Sequence, residues 1–319
     1  MTLDHAGTGS TDSSGPMFSV VIPTYHRRDE LRACLAAIAN LETPRDQFEV
    51  IVVDDGSPEP VHDLVRVWGG AVDITLVEQR NAGPAAARNA GAARAKGRYL
   101  AFTDDDCAPD PNWLQAFARH FHEAPAAAIG GLTVNALPDP YSAASQKLID
   151  YLYRYYHVVG AEGRFFTTCN FACPKAEFDA LGGFDESFPR AAAEDREFCE
   201  RWIAEGHQLR YADDVVVRHS HLMSLAGFLR QHFGYGRGAV HLHRARARRG
   251  GDRVRLEPLR FYVDLVRYPL EHGVDLESLR GSLLLVLSQV AYGSGYYRER
   301  FSQRRSKPNR SPESVPSST

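Results

Sequence analysis

Three adjacent carboxylates, Asp104, Asp105 and Asp106, follow an apolar run directly in the segment AFTDDDCAPD. Acids this close at the end of a buried strand repel one another unless a cation or hydrogen-bond donors offset their charge. A divalent metal does so economically, and hard oxygen ligands with space for phosphate oxygens suit Mn²⁺ or Mg²⁺. The same residues are compatible with a solvated acidic turn, or with Asp110 capping a helix over PNWLQAF. A second pair, Asp54 and Asp55, ends VIVVDDGSP just before a glycine turn. A carboxylate there can accept a ring N–H or a ribose hydroxyl at a sheet edge. Ordinary turn chemistry also favours Asp, Gly, Ser and Pro.

Four further groups belong to the same inventory. VVIPTYHRR ends an apolar run and opens a helix, which puts Pro23, Thr24, Tyr25 and nearby backbone amides at one edge. Arg88, in AAARNAGAARA, can meet a diphosphate or pair with the acidic triplet, or lie on a helix surface. Glu194 and Asp195 begin the amphipathic stretch EDREFCERW, where a helix N-terminus keeps a carboxylate ionised and available as a base, or where one acid serves as a cap. His219 and His221 fall on one side of the extended run DDVVVRHSH, as metal ligands or as structural hydrogen-bonders.

The elements that position these residues alternate between short β-branched runs and amphipathic stretches. FSVVIP precedes LRACLAAIANL, FEVIVVDD precedes VHDLVRVW, ITLVEQ precedes AAARNAGAARA, and RYLAFTDDD precedes WLQAFARHF. Near-continuous apolar strands predict a parallel sheet covered on both faces, hence a doubly wound α/β layer that binds ligands at the carboxyl ends of its strands. Beyond about residue 125 the alternation weakens, with a strand over AAAIGGLTVNA and a helix over SAASQKLIDYLYRYYHVV, and the sheet is expected to become mixed. From Ser220 onward the pattern is helical.

With 319 residues, 44% hydrophobic and 24% charged, the chain has the composition of a globular protein that needs no disulfides. The net charge of -3 gives no global attraction to nucleic acid. Five cysteines, an odd number with no usual zinc spacing, read as buried thiols, and with no secretory signal the expected compartment is the cytoplasm. Residues 1–16 and 301–319 are polar and poor in apolar side chains, which predicts a disordered leader and a disordered basic tail. The apolar stretch SLLLVLSQVAYGSGYY falls short of the roughly 20 residues of a spanning helix. Arg244, Arg246, Arg248, Arg249, Arg253 and Arg255 form a basic cluster, either a solvated face or a peripheral contact with an anionic membrane surface at its inner face.

The ordered set PTYHR, VVDDGS, AGPAAARNAG, AFTDDD and EDREFCERW resembles the family 2 inverting glycosyltransferases of the GT-A fold, over roughly residues 17–221. The resemblance implies a GT-A catalytic domain over 17–221 and a helical extension over 222–300. It implies a nucleotide-sugar donor, UDP-linked by family habit, and a hydroxyl acceptor. Thr24 and Asp55 would contact the base, Asp54 would support the turn, Asp105 would face the ribose, and Asp106 would bind the metal on the diphosphate. Asp104 and Asp106 are the formal ends of the family's Asp-any-Asp motif. Asp195 takes the place of the catalytic base beside Glu194, His219 that of a metal-side histidine, and Asn170 lies in the segment matching the acceptor-side turn. The implied reaction is an in-line displacement with inversion at the anomeric carbon. A sugar-phosphate nucleotidyltransferase would show a glycine-rich loop after the first strand, which PTYHRRDE lacks. A non-catalytic nucleotide-sugar-binding protein would not need both acidic sites, and a processive synthase would show a Gln-any-any-Arg-Trp signature, where this chain has QHFGYGRG.

Overall fold

The computed structural model describes residues 15–158, 165–188, 192–250, 257–271 and 273–305. In chain order the elements are β1 (Phe18–Thr24), α1 (Arg28–Ala39), β2 (Phe48–Asp54), α2 (His62–Trp68), β3 (Ile74–Glu78), α3 (Pro84–Arg94), β4 (Tyr99–Phe102), β5 (Cys107–Pro109) and α4 (Trp113–Glu123). There follow β6 (Ala128–Asn135), α5 (Pro140–Tyr153), β7 (Phe171–Pro174), α6 (Lys175–Ala180), α7 (Glu194–Ala204), β8 (Leu209–His219), α8 (Leu225–Arg248), α9 (Leu259–Arg267) and α10 (Leu276–Arg305).

The chain divides into two compact units. The first holds residues 1–136, 162–184 and 198–220, and with them an eight-stranded sheet of order β3-β2-β1-β4-β7-β6-β8-β5. Strands β3, β2, β1 and β4 are parallel, as the apolar runs predict, and every residue of β2 is buried. Both faces of such a strand are covered, and each fully buried Val or Ile contributes roughly 1.5–3 kcal/mol. β7 runs antiparallel to β4 and β6, and β5 antiparallel to β8, so the sheet is mixed in its second half.

Small residues let α3 lie close on this sheet: a Cβ added at Gly91 would come 2.5 Å from Val21 Cγ1 and 3.1 Å from Val53 Cγ2. Gly83, at φ 92°, and Pro84 at the first helical position set where α3 begins. The register of β6 on β8 shifts between Gly131 and Leu132. Asn170 fills that irregularity, donating to Leu132 O and Val215 O at 2.9 Å each.

The second unit holds residues 137–161, 185–197 and 221–319. The last crossing between the units falls after Ser220, and α5 and the segment containing Asp195 also belong to the second unit. The reason for α5 is apolar: its Leu148 and Tyr151 cluster with Phe261, Leu265 and Leu285. The helix α10 runs to Arg305, five residues into the segment expected to be a disordered tail; the rest of that tail and residues 1–14 lie outside the described residues. Of the arginine cluster, Arg244, Arg246 and Arg248 lie on α8, Arg249 pairs with buried Glu197, and Arg253 and Arg255 fall outside the described residues. Among the described residues, no helix is long and apolar enough to cross a membrane.

Candidate active site

The carboxyl ends of β1, β2 and β4 bring most of the sequence-derived residues together within the first unit. β1 extends through Pro23 to Thr24, and Tyr25, exposed at 49%, begins the turn into α1. His26, at φ 55°, donates its amide to Ser57 Oγ at 2.8 Å and so ties this turn to the one after β2. In that second turn Asp54 Oδ1 accepts from the amide of Ser57 at 2.9 Å, which is a turn-supporting contact. Buried Asp55 accepts from Gln79 Nε2 at 2.7 Å, Ala82 N at 2.9 Å and Gly83 N at 2.9 Å. A carboxylate has about four acceptor positions, so Asp55 keeps capacity for one further donor.

The acidic triplet follows β4 in a tight turn, closed by Cys107 N donating to Asp104 O at 3.1 Å. Thr24 Oγ1 donates to Asp105 Oδ2 at 2.8 Å, and Arg27 Nη1 reaches both Asp105 Oδ1 at 3.2 Å and Asp106 Oδ2 at 2.6 Å. Arg88, buried rather than on a helix surface, donates to Asp104 Oδ1 at 2.7 Å. The pairing of β5 with β8 sets His219 opposite Cys107, which carries His219 Nε2 to 3.1 Å from Asp106 Oδ1. Asp110 is not the cap of α4: its carboxylate accepts from Arg218 Nε at 3.1 Å, and Asn112 stands at the cap position.

Burial and like charges govern this cluster. Loss of solvent, reinforced by Asp106 and opposed by Arg27, pushes Asp105 up to about 7. Burial pulls His219 down, but the hydrogen bond and charge of Asp106 outweigh it and raise the imidazole to about 9. For Arg27 burial likewise opposes ionisation, and Asp106 and Asp105 more than offset it, raising its pKa. A cation is therefore already part of the design.

The donor set fits a divalent metal. Two cis ligands at about 2.1 Å from one ion lie roughly 3 Å apart, close to the separation of Asp106 Oδ1 and His219 Nε2. A carboxylate and an imidazole together favour Mn²⁺ over the strictly oxygen-seeking Mg²⁺. Coordination requires a neutral imidazole, so binding would release the His219 proton. His221 belongs to the second unit.

Arg27, which bridges Asp105 and Asp106, does not stand out in PTYHRR, where two arginines follow one histidine. The signal was its place three residues after the end of β1. Asn170, expected on the acceptor side, is 1% exposed. Its Oδ1 accepts from Trp113 Nε1 at 2.9 Å and its amide spans β6 and β8, so its contacts brace the sheet.

Asp195 and Glu194 lie in the second unit, at the start of α7. Glu194 is buried and accepts from Ala192 N at 2.8 Å, and half-buried Asp195 accepts from Arg196 N at 2.7 Å. Ala193, at φ 73°, turns the chain into the helix. α8 presses on this turn, since a Cβ at Gly238 would stand 2.4 Å from Ala192 O. Glycine is required there for the close approach.

Comparison with known proteins agrees with the fold and the motifs. The sequence model described as Glycosyl transferase family 2 matches residues 19–182. The pre-mycofactocin glycosyltransferase of Mycobacterium tuberculosis is 30% identical over 238 residues, covering 72% of this chain and 48% of that protein. The chondroitin synthase of Escherichia coli is 29% identical over 235 residues, covering 63% of this chain and 34% of that protein. This chain thus spans about half, or less, of the length of these relatives. Among solved structures, the mannosyltransferase PcManGT of Pyrobaculum calidifontis, in complex with GDP-Man and Mn²⁺, superposes with a TM-score of 0.58 at 20% identity, covering 92% of this chain and 81% of that one. TarS of S. aureus, residues 1–349, gives a TM-score of 0.52 at 17% identity, covering 92% and 93%. The chain belongs to the family 2 glycosyltransferases and has the GT-A fold.

Proposed function

We propose that this glycosyltransferase is a metal-dependent, inverting hexosyltransferase that moves a sugar from a nucleoside-diphosphate sugar, UDP-linked in the first instance, to an acceptor hydroxyl. The observation that carries the proposal is the 3.1 Å approach of Asp106 and His219 beside a second buried carboxylate, Asp105. The nucleotide sugar and Mn²⁺ bound by PcManGT, and the UDP-GlcNAc bound by TarS, support a donor and ion of this class.

In this reading Asp55 accepts an N–H of the nucleotide base with its remaining acceptor position, Thr24 and Tyr25 border the base, and Asp105 meets the ribose. Asp106 and His219 would hold Mn²⁺ or Mg²⁺, which would supply positive charge to offset that of the diphosphate. Asp195 accepts the acceptor's proton as that hydroxyl oxygen bonds to the anomeric carbon. The bond from that carbon to the phosphate oxygen breaks, and its electron pair leaves with the nucleoside diphosphate.

Incubating the purified chain with a panel of nucleotide sugars and Mn²⁺ tests the proposal. Release of nucleoside diphosphate is expected, with turnover falling ~100-fold or more in Asp106→Ala. Full activity in that variant, or in excess chelator, would refute the metal assignment. Release of pyrophosphate would identify nucleotidyl transfer instead.

A further inference from the structure

Asp195 reaches its place through a strained turn. Ala193 stands at φ 73°, a left-handed conformation uncommon for residues other than glycine. Backbone strain of this kind persists only where the surroundings over-determine it, and it gathers at functional sites. Two local hydrogen bonds contribute: buried Glu194 reaches back to accept from the amide of Ala192 at 2.8 Å, and Ala193 O accepts from the amide of Glu197 at 3.0 Å. The rest of the hold comes from α8. At Gly238 an added Cβ would stand 2.4 Å from Ala192 O, 2.5 Å from Ala192 Cβ and 2.9 Å from its carbonyl carbon. The ring of His241 lies 6.0 Å from that of buried Phe188, just before this segment in the chain. Arg249, at the end of α8, pairs with Glu197, which is 2% exposed and lies in the first turn of α7. At about 100° per residue Gly238, His241 and Arg249 fall within an arc of roughly 80°, so they form one face of α8. All of these residues belong to the second unit.

We infer that this face of α8 is the template that sets the position of the proposed base, with Gly238 as its principal positioning residue, a role that rests on the reading of Asp195 as the base. A general base works only within hydrogen-bond reach of the proton it takes. Asp195 stands in the first turn of α7, so its place follows from where that helix starts, and the helix starts where Ala193 turns. A right-handed Ala193 would relieve the strain and swing the peptide of Ala192 round. Contact with α8 on Ala192 O and Cβ blocks that swing, and the contact is this close because residue 238 has no side chain. Any larger residue there pushes the turn outward and releases it. Arg249 secures the same turn from its other side through Glu197.

Kinetics of Gly238→Ala, Asp195→Asn and the variant carrying both test this. The rate is read as nucleoside diphosphate released from the fastest nucleotide sugar of the panel above, with Mn²⁺ and with water as the acceptor. Because the new Cβ forces the turn to move, kcat of Gly238→Ala should fall roughly 100-fold, the loss that a misplacement of about 1 Å can cause. The donor dissociation constant, measured by calorimetry, should stay within about twofold. In the Asp195→Asn background the same substitution should slow turnover less than about twofold, since a residue that acts through Asp195 has nothing left to position. Losses that multiply in the double variant would make Gly238 a packing residue alone and overturn the inference, as would Gly238→Ala at the wild-type rate. Should Gly238→Ala fail to fold, His241→Ala takes its place in the same cycle, with an expected loss of ~10-fold, because it leaves Glu299 its ion pair with Arg237 at 2.7 Å. Asp195→Asn at the wild-type rate would overturn the reading of Asp195 and the template with it. Failure of the template alone leaves Asp195→Asn slow, so the two failures are told apart.

Discussion

The two units bury charge in different ways. In the first, three consecutive aspartates share cations: Arg27 serves both Asp105 and Asp106, His219 adds to Asp106, and Arg88 meets Asp104. In the second, buried carboxylates stand apart from one another, Glu197 with Arg249, and Glu299 with Arg237 at 2.7 Å and His241 at 3.3 Å. A matched pair is finished architecture. A crowded cluster, with one carboxyl pushed up to about 7, can accept a further positive charge, and the strands that hold it end where such sheets bind ligands. The apolar side chains show the same division: thirteen of the sixteen large ones exposed among the described residues belong to the second unit. The first unit thus gathers charge at the ends of its strands, and the second carries most of the exposed apolar surface.

The largest expected effect tests whether the second unit takes part in the chemistry at all. Asp195→Asn removes the basic oxygen while keeping the acceptor of the Arg196 amide. Transfer should fall ~1000-fold, within the range for loss of a general base, while the donor dissociation constant, measured by calorimetry, stays within about twofold. An unchanged transfer rate would remove Asp195 from the reaction and confine the chemistry to the first unit.

A smaller effect separates shared from matched cations. If Arg27 occupies charge that a metal would otherwise neutralise, Arg27→Gln should tighten Mn²⁺ binding in the absence of donor about tenfold, the equivalent of ~1.4 kcal/mol. Titration followed by the Mn²⁺ electron paramagnetic resonance signal reads this directly. Arg237→Gln, which breaks a matched pair in the second unit, should leave that affinity unchanged and lower the melting temperature instead. Weaker Mn²⁺ binding in Arg27→Gln would mean that Arg27 holds the carboxylates in place for the ion.

How much of this was legible in the sequence follows from the range of each interaction. The parallel strands were, because FEVIVVD records its burial on both faces in seven consecutive residues. The place of Asp55 and the triplet just after β2 and β4 was, because the apolar runs stop directly before them. β5 was not: Cys107–Pro109 is three residues long and exists through its pairing with β8 about a hundred residues later. The same pairing is what carries His219 to Asp106. The bracing contacts of Asn170 were not legible for the same reason, since its neighbours in TTCNFACP say nothing of Trp113, Leu132 and Val215, which share its hydrogen bonds. The assignment of 185–197 to the helical unit depends on Gly238 approaching Ala192, a contact invisible without coordinates.

The smallest effect concerns stability and distinguishes the histidines that the second unit buries uncharged from His219, which the first unit holds beside Asp106. His232 is 2% exposed, its ring 4.3 Å from that of Phe228 and 5.5 Å from that of Tyr235. Burial pushes its pKa down from 6.5 to about 4. His243 moves in the same direction, to about 4, through burial and then the nearby Arg246, Arg196 and Arg300. As pH falls below 6.5 the unfolded chain takes up these protons and the folded chain does not, so acid favours unfolding. His232 then costs about 1.4 kcal/mol per pH unit down to its folded value, and nothing above the unfolded one. Urea unfolding at pH 7 and pH 5 should show the wild-type chain losing about 2 kcal/mol more than His232→Phe over that interval. Equal losses in the two proteins would mean that His232 is protonated inside the fold, as His219 is in the first unit beside Asp106.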